Sequence, residues 1–262
     1  MYTNFWEIKP GQWPPAAVVA AVALTALWLF LLRKLIFRAG QEFCATPGLC
    51  APQRERLFWL RAAVAVALDA ALFAPSIGAV QVPLQEALSA WLARHTTLTA
   101  PSLLALPVVF LSGLIQEPVK MLALLPAACR TPRSSYLPLG ALAGGAYGGM
   151  EALLLFAAVF PYPGLGALNL AAAIWERAFT ILLHLALTAF VAHRFSRGWK
   201  AGLGALALAV LAHSLLVNYV AAVLLLSLWG GLASLLYVTL VSLAAAFYLW
   251  RTVEHDNEQA LL

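Results

Sequence analysis

The sequence is poor in charge: only 10% of its 262 residues are Asp, Glu, Lys or Arg, where a soluble domain carries about 25%. With 63% hydrophobic residues and a mean hydropathy of +0.86, that scarcity excludes an ordinary water-soluble globule. Alternation with period 2 is also scarce, which argues against a membrane barrel. Apolar runs such as PPAAVVAAVALTALWLFLL call instead for helices, whose backbone groups pair within the segment. Cysteines are few, Cys44, Cys50 and Cys129, and form no CxxC or spaced Cys/His set. That excludes a zinc ribbon or a thioredoxin-like motif and leaves plain thiols. HExxH, the commonest linear zinc signature, is absent. No repeat of about 20 to 50 residues stands out.

What is present is a succession of apolar segments. They predict an all-α polytopic transmembrane bundle of about seven spans, with six to eight as the range, in one domain covering 1–262. Spans are expected near 14–37, 57–80, 101–128, 138–160, 168–192, 201–226 and 228–250, each of a length to cross roughly 30 Å of hydrocarbon. Trp6 and Trp13 read as interfacial anchors. The stretch QVPLQEALSAWLARHTTLTA is amphipathic, suited to the interface or to a short re-entry.

The net charge of +5 is not accompanied by any nucleic-acid motif, and its distribution has a topological use. Arg38, Arg54, Arg56, Arg130, Arg133, Arg194, Arg197, Lys200 and Arg251 fall in one set of alternate loops, and Lys9 and Arg94 in the other. The positive-inside rule then puts the N-terminus outside and the C-terminus in the cytoplasm. The three cysteines fall on the cytoplasmic side, where a disulfide is disfavoured.

A minority of ionisable residues stays at membrane depth, where such groups are costly and face a bundle interior. The third span carries Gln116, Glu117 and Lys120 around Pro118; Glu117 and Lys120 lie on one helix side, so an ion pair is the plain structural account. The fourth carries Tyr147 and Glu151 on one face after a glycine-rich stretch suited to close helix approach. The fifth carries Glu176, Arg177 and His184, with Arg177 expected to snorkel. The sixth carries His213 and Asn218. Depth alone suggests that both histidines and the glutamates of residues 101–226 meet in a central cavity. His193, His95 and His255 read as loop or interface residues, Arg61 as snorkelling and Asp69 as helix-to-helix glue. Such a set permits general-base activation of water, binding of a divalent metal such as zinc, or proton relay in a carrier.

At these residues the chain resembles the glutamic-type intramembrane peptidases that include the CAAX prenyl endopeptidases and PrsW, and within them the YhfC-like membrane proteins. The resemblance rests on Gln116-Glu117-Pro118-Val119-Lys120, Tyr147-Gly148-Gly149-Met150-Glu151, Glu176-Arg177 through His184, and His213-Ser214-Leu215-Leu216-Val217-Asn218. It implies a hydrolase in which Glu117, assisted by Glu151, activates water, His184 and His213 orient or protonate reacting groups, and Asn218 stabilises an oxyanion. The implied partners are the lipid bilayer and a membrane-associated peptide or protein, with a prokaryotic cell membrane as the location. The superfamily's first motif begins with paired glutamates. Gln116 departs from it and implies a neutral partner beside the base.

Overall fold

In a computed structural model of the chain, residues 14–38, 51–96, 101–128, 133–161, 166–225 and 230–259 are described. The three cysteines, Trp6, Trp13 and Lys9 lie outside them. Among the described residues every regular element is helical, as the apolar runs require. Helix α1 (Pro15–Leu31) is interrupted at Leu32 and resumes as α2 (Arg33–Arg38). Helix α3 (Ala51–Pro75) passes through a π-helical stretch, Ser76–Gln81, into α4 (Val82–His95). Helix α5 (Pro101–Ala128), a short 3₁₀ turn and α6 (Tyr136–Val159) follow. Next come α7 (Ala167–Arg197) and α8 (Trp199–Leu211), which leads through a second π-helical stretch, Ala212–Tyr219, into α9 (Val220–Leu225); α10 (Gly230–Gln259) closes the described chain.

Among the described residues six stretches are long and apolar enough to cross a membrane: Glu55–His95, Ala105–Ala128, Tyr136–Val159, Ala167–Arg197, Trp199–Leu225 and Gly230–Asp256. Pro15–Leu31 is equally apolar but has 17 residues, the short limit for a span of about 30 Å. The chain is an integral membrane protein built as a helical bundle. Its outward Val19, Leu168, Leu232 and Leu240 are exposed, a surface suited to lipid tails and not to water.

Two boundaries differ from expectation. The amphipathic stretch after residue 80 is not a separate element but a continuation of α3, giving 41 helical residues from Glu55 to His95, about 60 Å at 1.5 Å per residue. The wider π turn carries the helix past Pro75 and Pro83, which lack the N–H donors of a regular ladder. No residue of Val82–His95 is buried. Gln85 Nε2 nevertheless donates to the Val108 carbonyl at 2.8 Å, tying α4 to the first half of α5. The last helix continues beyond Trp250 because Val253 and Asp256 still pack against α7.

Helix α7 is the axis of the bundle: 78% of its most apolar stretch is buried, against 22% for α10. The α6–α7 contact is made backbone to backbone at Gly144, where a Cβ would run into the His184 carbonyl and lie 2.7 Å from Thr188 Cβ. Small residues at such crossings are the usual means of close packing in lipid.

One end of the bundle collects the end of α2, the starts of α3, α6 and α8, and the ends of α5, α7 and α10. Ile36, Phe58, Ala128 and Leu137 share a core cluster there, Gly140 abuts Ala192, and Asp256 bonds to His193. Arg33, Lys34, Arg56, Arg133, Arg194, Arg197, Lys200 and Arg251 therefore fall at the same end, while Arg94 lies away from it at the end of α4.

Candidate functional site

Between the apolar clusters lies a chain of ionisable groups drawn from four helical segments. Glu117 and Lys120 come from α5, Glu151 from α6, Arg177 and His184 from α7, and His213 from the second π-helical stretch. Glu117 is 1% exposed, Lys120 and His184 0% and His213 3%, so their polar atoms depend on one another. Lys120 Nζ donates to Glu117 Oε1 at 2.6 Å and to His184 Nδ1 at 3.0 Å. An ammonium has no lone pair, so Nδ1 is the acceptor and the His184 proton sits on Nε2. That nitrogen donates to Glu151 Oε2 at 2.7 Å. His213 Nδ1 donates to the same Glu117 Oε1 at 2.7 Å. The imidazoles of His184 and His213 meet edge to face, 5.0 Å between centroids.

Glu151 is the outlet of this chain, its side chain 27% exposed. Its other oxygen, Oε1, lies 3.2 Å from Arg177, which also makes a two-pronged pair with Glu176. Arg177 thus turns inward to two carboxylates, against the expectation that it snorkels; both acids lie within its reach, and a guanidinium matches carboxylate geometry. Formally, three carboxylates (Glu117, Glu151, Glu176) face two cations (Lys120, Arg177).

The π-helical stretch explains how His213 reaches its partner. An i→i+5 turn stacks residue 213 on residue 218, and the stretch runs antiparallel to α5. His213 meets Glu117 while Asn218 meets Ser112, five positions earlier, at 2.6 Å. Ser214 adds a bond to the Phe110 carbonyl at 2.9 Å.

Of the residues expected to act together, Glu117, Glu151, His184 and His213 are joined directly. Asn218 is not; it lies on the same seam and donates to Ser112. These four side chains meet in direct contact, with Glu151 the partly exposed member. Two cavities, of about 610 and 300 Å³, lie elsewhere and have none of these four side chains in their walls. Gln116 turns away from Glu117, its Nε2 donating to Gln81 Oε1 at 3.0 Å in the first π-helical stretch. His193 is not a loop residue but a buried one on α7, paired with Asp256. Asp69, expected to join helices, is fully buried, and among the described residues neither carboxylate oxygen has a hydrogen-bond partner.

Sequence reasoning treated Lys120 only as a structural ion-pair partner. Its link to His184 depends on helix α7, 64 positions away. Tyr147, read as packing, is fully buried against the cluster, its ring 5.4 Å from Lys120 Nζ and its hydroxyl 3.3 Å from Ser76 Oγ.

Glu117, His184 and His213 each offer a ligating atom within 4.8 Å of the others, a set whose chemistry suits zinc. Lys120 Nζ already bonds two of the three residues, so a divalent ion would have to displace an internal cation.

The fold and the cluster together define a polytopic helical membrane protein with a largely buried, hydrogen-bonded Glu–Lys–His–Glu chain. No family model, curated protein or solved structure matches the chain.

Proposed function

We propose that this chain is an intramembrane hydrolase acting on a membrane-associated peptide or protein, with Glu117 as the base that activates water. The observation that carries the reading is the convergence of Glu117, Lys120, His184, Glu151 and His213 inside the bundle. Groups so costly to place in a membrane interior are by default functional. Lys120 and His213 both bond Oε1 of Glu117, and the attacking water is assigned to its other oxygen, Oε2. Lys120 supplies fixed positive charge beside the carboxylate, where a developing oxyanion would be stabilised. The His184–Glu151 pair reaches the more open side of the cluster and can pass a proton to a leaving amine. The resemblance to glutamic-type intramembrane peptidases at the same residues supports this assignment. Asn218 has one amide hydrogen committed to Ser112, so its contribution would come through the other. Gln116, occupied by Gln81, leaves Glu117 to act without a second adjacent carboxylate.

The same proposal places the N-terminus outside and the C-terminus in the cytoplasm of a prokaryotic cell, by the basic end of the bundle. The competing reading is a non-proteolytic transporter or scaffold. It draws on the two π-helical interruptions that face α5, since broken helices line transport sites.

Cleavage of a diverse membrane-peptide library by purified protein decides between them. Glu117→Gln is expected to lower cleavage by about 10²-fold or more, and chelators to leave wild-type cleavage intact because Lys120 supplies the cation. Absence of cleavage by the wild type, with substrate translocation in vesicles, would overturn the hydrolase.

A further inference from the structure

The cavity of about 610 Å³ lies at the basic end of the bundle, between the end of α7, the start of α8 and the end of α10. Its polar wall is formed by Arg194, Lys200 and Arg251, with Asp256 as the acidic residue and His255 beside it. Asp256 is already engaged: its Oδ2 lies 2.8 Å from His193 Nε2, 3.4 Å from Arg197 and 3.9 Å from Arg194. The carboxylate therefore holds α10 to α7 and leaves the cavity an excess of positive charge. Lys200 is exposed, and Arg251, itself exposed, lies 3.4 Å from the half-buried Glu254.

A second feature of the same wall favours an anion. Helix α8 begins at Trp199 after Gly198, whose φ of 142° turns the chain sharply and which supplies no side-chain cap. The first amides of α8, at Lys200 and Ala201 on the cavity wall, belong to the donor-rich positive end of a helix. Away from this polar rim the wall becomes apolar, with Phe190, Leu208 and Tyr248. Leu208 and Tyr248 are also exposed on the outer face of the bundle. Cations above and an apolar wall below, at the end of the spanning helices, match the two ends of a phospholipid and not a soluble metabolite.

We propose that this cavity is a binding site for an anionic phospholipid, its phosphate held by Arg194, Lys200, Arg251 and the start of α8, and its acyl chains lying along Leu208 and Tyr248. The occupied carboxylate and the cationic rim exclude a cationic ligand, and the apolar wall distinguishes a lipid from free phosphate. Basic pockets between spanning helices at a membrane surface commonly serve anionic headgroups. The site is independent of the hydrolase reading, since it shares no residue with the Glu117 cluster.

The test uses the full chain in neutral detergent, with thermal unfolding followed as phosphatidylglycerol, phosphatidylcholine or inorganic phosphate is added. Phosphatidylglycerol is expected to raise Tm, and the other two to leave it unchanged. Lys200→Gln, at an exposed position, should weaken the apparent affinity for phosphatidylglycerol about fivefold, and Lys200→Gln with Arg251→Gln further, consistent with the usual contribution of each cation near a charged headgroup. Arg94→Gln, at the end of α4, should leave it unchanged. An equal shift with phosphatidylcholine, reproduction of the shift by inorganic phosphate, or an unaltered shift in the double variant would overturn the proposal. Retention of phosphatidylglycerol by wild type but not by the double variant in native mass spectrometry would support it independently.

Discussion

Helix α7 carries two histidine–carboxylate pairs of almost the same length: His184 to Glu151 at 2.7 Å and His193 to Asp256 at 2.8 Å. They stand nine residues apart, about 13 Å along the axis, and their surroundings differ. His184 is enclosed by Lys120, Tyr147 and His213, with no exposed surface. His193 sits at the end of the bundle, where Arg194 and Arg197, themselves partly exposed, also approach the carboxylate. Near the end, water and spare cations can replace a lost partner. In the interior nothing else can, so the same bond length carries a different consequence for stability and chemistry.

The largest test of that contrast is Lys120→Met. It leaves Glu117 with His213 but without its cation, and His184 Nδ1 without its donor, and removal of one partner from a buried pair costs about 3–5 kcal/mol. Thermal unfolding in detergent should register it as the greatest loss among these substitutions. Adding Glu117→Gln to Lys120→Met should recover part of that loss, because the buried charge disappears with its partner. If the double variant were less stable than the sum of the singles predicts, Lys120 would not be there to neutralise Glu117.

A smaller effect is expected where packing, not charge, holds the site together. Gly144→Ala pushes a methyl into the His184 carbonyl and Thr188 and should cost about 1–3 kcal/mol. At Gly204 an added methyl would meet nothing within 4 Å, so the same change there brings no loss and a gain of up to about 1 kcal/mol in helix propensity. Equal effects at the two positions would show that the α6–α7 approach does not set the position of His184.

The smallest effect is expected at the bundle end. Asp256→Asn keeps a hydrogen-bond acceptor for His193 and should cost about 1 kcal/mol or less, measured by the same unfolding experiment. A loss as large as that of Lys120→Met would break the comparison, since burial would no longer separate the two pairs.

Much of this organisation was legible in the residues themselves. Long apolar runs required helices, and the grouping of Arg56, Arg133, Arg194, Arg197, Lys200 and Arg251 near segment ends marked one end of the bundle. The rarity of Glu117, Glu151, His184 and His213 in apolar surroundings marked them for the interior. Direction was not legible. Arg177 looks toward the membrane surface by sequence and turns to Glu151 in the fold, because the acid that attracts it lies on α6, 26 residues earlier. The stretch after Val80 read as an interfacial or re-entrant element because periodicity does not reveal that a π turn can carry a helix past two prolines. Asn218 shares the seam of His213 but is drawn to Ser112, a pairing set by the antiparallel register of two helices.

The sequence alone determined the solvent of this protein, its helical class and the short set of side chains that must avoid lipid, since each follows from the transfer cost of local groups. Only the tertiary structure decided which atoms those side chains meet. Lys120 bridges Glu117 and His184, and Glu151 opens toward Arg177, because helices remote in sequence pack at glycine crossings and bring their polar faces together. Hydrogen bonds between such faces depend on distances of a few tenths of an ångström, and no pattern along one chain encodes them separately from the packing.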